Sequence, residues 1–349
     1  MSDEARVGDD NPDTVDPFDE AAVPADARVS AGGVGASEAA DDYRSGFVAV
    51  VGRPNVGKST LINALVGTQV AITSSRPETT RKAIRAVLTR PGAQLVLVDT
   101  PGIHRPRTLL GQRLNDVVDD SLSEVDAVAF LLPADQKIGP GDTRILERLQ
   151  SDFTRKGQEP TSPQAWRKPV IAVVTKIDEL SRSELVDKLI KVDQFGHFSQ
   201  IIPVSALDGD NLDEVEKTLI ESVPQGPQMY PEDTVSEESP SEMISELVRG
   251  AFLEELDDEL PHSLAVVVDD VEYPDDDDQP VLAMVSLYVE RDSQKPIIIG
   301  HHAEHLVRVK KKVRTAVNRA VGHRTKLELH VKVSKEWQSN PKRLDRLGF

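Results

Sequence analysis

Eight consecutive residues, Gly52-Arg53-Pro54-Asn55-Val56-Gly57-Lys58-Ser59, have the spacing G-x-x-x-x-G-K-S of a phosphate-binding loop. The glycines let the backbone curl until successive N–H groups face one anion. The helix-forming segment that follows, in which Thr60 comes next, adds the partial positive charge of its N-terminus. Lys58 is placed to reach the β- and γ-phosphates of a nucleotide. Ser59 is placed to give an oxygen to Mg²⁺, a hard ion that keeps several waters and binds few protein ligands. Downstream, Asp99-Thr100-Pro101-Gly102 offers a carboxylate for a magnesium-bound water and an N–H, at Gly102, for the γ-phosphate. Thr175-Lys176-Ile177-Asp178 offers, at Asp178, an acceptor for guanine N1 and N2, a donor pair adenine lacks. There Lys176 can lie along the base plane. Ser205-Ala206-Leu207 can close over guanine O6 through a backbone N–H. GTP, GDP and Mg²⁺ are therefore the expected ligands, and an ATPase is disfavoured by Asp178.

These segments need elements that bring them to one place. Each follows a short apolar run: Phe47 to Val51, Leu95 to Val98, Val170 to Val174 and Ile201 to Val204, with a further run at Ala127 to Leu132. Helix-like stretches at Lys58 to Leu65, Thr143 to Leu149 and Glu184 to Lys191 lie between them. Strands alternating with helices predict an α/β fold with a mainly parallel sheet, whose ligands bind at the carboxyl ends of the strands.

The chain has 349 residues, 41 basic and 59 acidic side chains and no cysteine, which suggests two domains and excludes disulfides and thiolate chemistry. No apolar run is long enough to span a membrane, and the N-terminus lacks the pattern of a secretory signal, so a cytoplasmic location is expected. The net charge of −18 argues against indiscriminate nucleic-acid binding, but it is unevenly distributed: residues 1–42 carry −10 and residues 295–349 carry +10. The expected organisation is a disordered acidic tail (1–42), the nucleotide domain (43–224), a proline-containing linker (225–242) and a smaller module (243–349). That module reads helix, strand, strand, helix pair, strand, with alternating Ala283, Val285, Leu287 and Val289 and a helical stripe of Leu306, Val313, Val317 and Val321. His301 and His305 are spaced as metal ligands on a helix can be, but no third ligand accompanies them, and they read as polar histidines.

With these motifs in order, the chain resembles the TRAFAC-class GTPases and, among them, the Era family. The segments Tyr230-Pro231-Glu232-Asp233, Glu259-Leu260-Pro261-His262-Ser263, Val289 to Lys295 and Trp337 to Phe349 carry the likeness through the second half. The resemblance implies a Ras-like G domain followed by an α+β type II KH domain. It implies GTP hydrolysis coupled to binding of 16S ribosomal RNA and to assembly of the small (30S) subunit. A monomer is expected, with peripheral association at the inner face of the membrane the alternative to a purely cytoplasmic location. Tandem-G-domain relatives are excluded, because only one motif set is present.

Three departures from the family pattern follow. Thr175 stands where an asparagine is usual; its hydroxyl is expected to do part of the bracing. Ile103 stands where Ras-like enzymes carry a water-orienting glutamine. Asn55 in similar GTPases helps hold K⁺ beside the phosphates, so Asn55, Lys58 and the switch residue Thr80 are the expected catalytic set. Ser59, Asp99 and Thr80 are the magnesium-side residues, with Thr79 the alternative to Thr80. Third, the G-x-x-G clamp of KH domains is here Gly300-His301-His302-Ala303. Alanine adds a methyl and disfavours positive φ, so RNA binding through this loop and through Lys310, Lys311 and Arg314 is expected to be retained but weakened. The competing reading is a binding module in which GTP occupancy alone controls assembly and turnover is incidental, with a weak RNA grip through the altered loop.

Overall fold

The computed structural model describes residues 42–72, 81–102, 108–155, 162–256, 263–276 and 278–347. The acidic tail up to residue 41, Thr79, Thr80, Ile103 and Glu259-Leu260-Pro261-His262 lie outside them.

The apolar runs form the expected strands. β1 (Arg44–Val51), β3 (Ala93–Asp99), β4 (Ala127–Pro133), β5 (Val170–Thr175) and β6 (Gln200–Pro203) are parallel. β2 (Ile84–Arg90) adds antiparallel to β3, giving the order β2-β3-β1-β4-β5-β6. β3, β4 and β5 are buried along their whole length, which is why they read as uninterrupted apolar runs. Register places Val50 beside Asp99, Pro133 beside Thr175 and Val174 beside Pro203, so the strands end together on one edge.

Helices cover both faces. α1 (Lys58–Val66) and α5 (Leu212–Ser222) bury Leu61, Ile62, Leu65, Val215 and Leu219 on one side. α2 (Leu109–Glu124), α3 (Pro140–Phe153) and α4 (Arg182–Phe195) bury Val118, Leu122, Ile145, Leu149 and Val192 on the other.

Residues 225–239 run back along the sheet. The buried amide of Gln94 accepts from the N–H groups of Met229 and Tyr230, each at 2.8 Å, and donates to the Tyr230 carbonyl at 3.0 Å. The N–H of Val87 donates to the Val235 carbonyl and that of Glu237 to the Arg85 carbonyl. α6 (Pro240–Glu255) then opens the second unit, with Ser239 and Glu242 forming a capping box. β7 (Ala265–Glu272), β8 (Val281–Val289) and β9 (Thr325–Val333) make its sheet, antiparallel between β7 and β8, parallel between β8 and β9. α7 (Lys295–Ile299) and α8 (Glu304–Val321) fall between β8 and β9. Ile244 and Phe252 of α6 pack with Leu287, Leu306, Val313 and Val317 in the core of this unit. The mainly parallel α/β unit and the α+β unit therefore match the fold class read from sequence.

A fourth apolar cluster joins the two units. Leu110 and Leu114 of α2 meet Ala265, Trp337 and, from α9 (Pro341–Arg346) and its end, Leu344 and Leu347.

Candidate functional site

The phosphate loop connects β1 to α1. Gly57 caps α1 at φ +98°, a left-handed conformation open to glycine at little cost. Asn55, exposed, also takes positive φ, at +61°. Lys58 is buried, with 7 % exposure, and its ammonium donates to the Arg53 carbonyl at 3.2 Å. Burial holds the Lys58 pKa below its ordinary value, with Asp99 opposing that shift. Bound phosphate charge would oppose it further. Ser59 Oγ donates to Asp99 Oδ2 at 2.6 Å, and Asp99 is fully buried. Two of the three residues expected on the magnesium side, Ser59 and Asp99, are thus in direct contact, and Thr60 follows Ser59 on the first turn of α1. Among the described residues no group of three His, Cys, Asp or Glu side chains could hold a metal. A serine hydroxyl beside one carboxylate suits Mg²⁺, which takes its other oxygens from phosphate and water.

Thr100 spends its hydroxyl on the Val50 carbonyl at 2.9 Å, inside the sheet end. It shapes the turn into Pro101 and Gly102. A side chain at Gly102 would meet Pro54 at 2.8 Å, so these two loops are in contact.

The guanine loop is tied to the phosphate loop. Thr175 Oγ1 donates to the Val56 carbonyl at 2.6 Å, so the hydroxyl does supply a brace where asparagine is usual. Lys176 takes a left-handed φ of +58°, and its ammonium reaches Asp135 at 3.4 Å. Asp178 is exposed on the following single turn. Ser205 is buried; its Oγ accepts from the N–H of Asp208, its own N–H donates to the Asp210 carbonyl, and Leu207 is 78 % exposed.

Contacts to residues not singled out from sequence, Asp142 and Lys188 among them, complete the surroundings. Arg53 Nε donates to Asp142 Oδ1 at 2.7 Å, and Asp142 Oδ2 accepts from the Gly139 N–H at 2.8 Å. Lys188 donates to the Gln136 carbonyl at 2.6 Å. Burial lowers its pKa, with Asp142 opposing. The stretch from Asp135 to Asp142 therefore touches both the phosphate loop and the guanine loop. Gly139-Pro140-Gly141-Asp142 marks a helix start, with proline in the first turn and a capping carboxylate, but carries no sign of the contact with Arg53.

Arg81, the first described residue after Thr80, is buried, with 2 % exposure. Its guanidinium donates to the Leu264 carbonyl at 2.8 Å and lies 5.6 Å from the Trp337 ring centre.

In the second unit, Gly300, His302 and Ala303 have φ of +76°, +50° and +62°. The loop backbone at Ala303 is left-handed despite the methyl. His301 and His302 pack edge to face, and His305 Nδ1 pairs with the Ile297 carbonyl at 2.8 Å. Ile297 and Val307 are half exposed on either side of the loop. Lys311 and Arg314 are exposed along α8 and Lys310 is half-buried. Arg308 pairs with Glu255 and Glu304, and Lys312 with Glu254, so part of the basic surface is balanced by the end of α6.

A model of a family described as "50S ribosome-binding GTPase" matches residues 47–176, and a KH domain model matches residues 259–338. The GTPase Era of Mycobacterium avium (strain 104) is 48 % identical over 309 residues, covering 88 % of this chain and 99 % of that protein. The chain belongs to the Era family of GTPases. The Era of Corynebacterium glutamicum is 45 % identical, with 88 % of this chain and 98 % of that protein covered. Among solved structures, a variant of Aquifex aeolicus Era bound to GDP·AlF4⁻ superposes with a TM-score of 0.77 at 32 % identity, covering 87 % of this chain and 99 % of that one. An Era in complex with MgGDPNP and nucleotides 1506–1542 of 16S ribosomal RNA also gives 0.77 at 32 % identity, covering 88 % and 99 %. This Era-family chain is a GTP-hydrolysing enzyme with a carboxyl-terminal KH domain. No helix among the described residues is long and apolar enough to cross a membrane.

Proposed function

We propose that this chain binds and hydrolyses GTP and, through its KH domain, binds 16S ribosomal RNA to assist assembly of the small ribosomal subunit. The observation that carries the nucleotide reading is the convergence of the phosphate loop, Asp99, Thr175 to Asp178 and Ser205 at the carboxyl ends of β1, β3, β5 and β6. In this reading Lys58 leaves the Arg53 carbonyl for the phosphates, and Asp178 accepts from the guanine N1 and N2 groups. Ala206 and Leu207 supply the backbone near O6. Ser59 and Asp99 would hold Mg²⁺, with Thr80 from the switch segment; when bound, the ion neutralises charge on the β- and γ-phosphates. Asn55, exposed beside the cradle, supports a K⁺ ion as the extra positive charge. Turnover is then faster in potassium than in sodium, and equal rates in both remove K⁺ from the reading.

The RNA reading is supported by the likeness, over both domains, to an Era bound to a 16S segment. The family description naming the 50S subunit concerns residues 47–176 alone and so says less about the RNA partner. The left-handed backbone at Ala303 supports a clamp whose shape is kept. Single-turnover GTP cleavage with and without small subunits tests the coupling: a changed rate or affinity is expected, and no change in either rules the ribosomal role out. D178A is expected to erase discrimination between GTP and ATP in a competition assay.

A further inference from the structure

Arginine in a phosphate loop suggests a direct grip on phosphate. Here its Nε–H is given to Asp142, at 2.7 Å, on the first turn of α3. That carboxylate is fully buried and also caps its own helix. A buried carboxylate is costly unless paired, and an apolar pair would pack at no such cost, so this pairing calls for a reason beyond stability.

The neighbouring backbone supplies one. A Cβ at Gly141 would lie 2.6 Å from Arg53 Cδ. A Cβ at Gly102 would lie 2.8 Å from Pro54 Cγ and 2.9 Å from the Pro54 nitrogen. Arg53-Pro54 is thus wedged between the backbone of α3 and the backbone of the loop that senses the γ-phosphate. Asn55, with its left-handed φ, comes next. Fixing Arg53 to α3 fixes the spacing from the phosphate loop to Gly102.

We infer that Arg53 is a positioning residue for GTP hydrolysis: the Arg53–Asp142 clamp on α3 holds Pro54 against Gly102 and so sets where the γ-phosphate sits relative to both loops. This rests on the GTPase reading. It predicts a defect specific to the γ-phosphate. GDP, bound by the rest of the loop and by Asp178, is held as before.

The test compares the full chain with R53K, D142N and the double variant R53K/D142N. Lysine keeps the charge but lacks the Nε–H, and asparagine keeps an acceptor for the Gly139 N–H. F153L, at the far end of α3, serves as a stability control. Each single clamp variant is expected to slow single-turnover GTP cleavage by about tenfold, a change near 1.4 kcal/mol in barrier. GDP affinity stays within about twofold, and the double variant is no slower than the singles, as members of one unit behave. F153L leaves the rate unchanged. Unaltered rates in the clamp variants, a parallel loss of GDP affinity, multiplicative effects in the double variant, or an equal slowing in F153L would each overturn the inference. Wild-type protein that fails to cleave GTP would overturn the parent reading instead, which separates the two failures.

Discussion

Thr175 shows how one hydroxyl can stand in for a larger side chain. The expected loss of bracing at this position is partly made good, because Oγ1 reaches the Val56 carbonyl at 2.6 Å inside the sheet edge. T175V keeps the shape and removes the donor. An unmade buried hydrogen bond costs about 1–3 kcal/mol. GTP affinity measured with a fluorescent analogue should therefore fall roughly tenfold, which corresponds to about 1.4 kcal/mol. T175N should bind at least as tightly as wild type. The residues of this site were unequally legible in the sequence. The phosphate loop, Asp99 and Thr175 to Asp178 announce themselves because their chemistry lies in runs of a few residues after a strand. Asp142 and Leu264 do not, because their partners Arg53 and Arg81 lie 89 and 183 residues away. Thr100 lies inside the Asp99 to Gly102 motif, and its hydroxyl donates to the Val50 carbonyl. Motif membership alone does not separate a residue that touches nucleotide from one that shapes the turn.

Among the elements, the parallel strands were readable because burial on both faces leaves no polar interruption. β2 was not, since Arg85, Thr89 and Arg90 break its apolar pattern at a sheet edge. α2 and α5 are equally hard to read. Their buried residues, Leu110, Leu114, Val118 and Leu122 in α2, recur at four-residue spacing among many acids, and only the pattern, not the composition, marks them. The α7–α8 loop is the element where local backbone preference and fold disagree. Alanine at φ +62° costs about 1 kcal/mol relative to its right-handed conformation. A303G removes that strain but adds backbone entropy to the unfolded chain, so the gain in stability should be below about 1 kcal/mol. Denaturant unfolding would measure it. The same substitution should tighten RNA binding, because the methyl no longer limits approach of the phosphate backbone. Crosslinking of the GTP-bound protein to RNA, compared with wild type, reads that second effect.

On the scale of the whole molecule, the two units meet at a seam that carries both apolar and charged contacts. Leu110 and Leu114 pack on Trp337 and Leu344, and Arg113 pairs with Asp345 at 2.7 Å. On the other side Lys82 reaches Glu242 at 3.4 Å at the start of α6. Glu238 sits beside that pair. Burial first, then Glu242, raises its pKa to about 7, with Glu246 and Glu237 adding to the rise and Lys82 opposing it. Glu242 itself is held low: burial alone would raise it, but the Ser239 hydroxyl and N–H and the Lys82 ammonium outweigh that. The folded chain therefore keeps a proton on Glu238 at pH values where the unfolded chain, with an ordinary value of 4.5, has released it. Native protein binds more protons across that window, so the contribution is fully present below pH 4.5 and is lost as pH rises through about 7. E238Q supplies a neutral side chain at every pH. It should match wild type near pH 4.5 and exceed it at pH 8. The side chain is partly exposed and solvent screening reduces the effect. A gain of about 1 kcal/mol, or roughly 2–4 °C in Tm for a domain of this size, is expected. Thermal unfolding of both proteins from pH 4.5 to 8 would show the two curves diverging upward through neutrality; parallel curves would mean that the Glu238 carboxyl is solvated at this seam and stays ionised there.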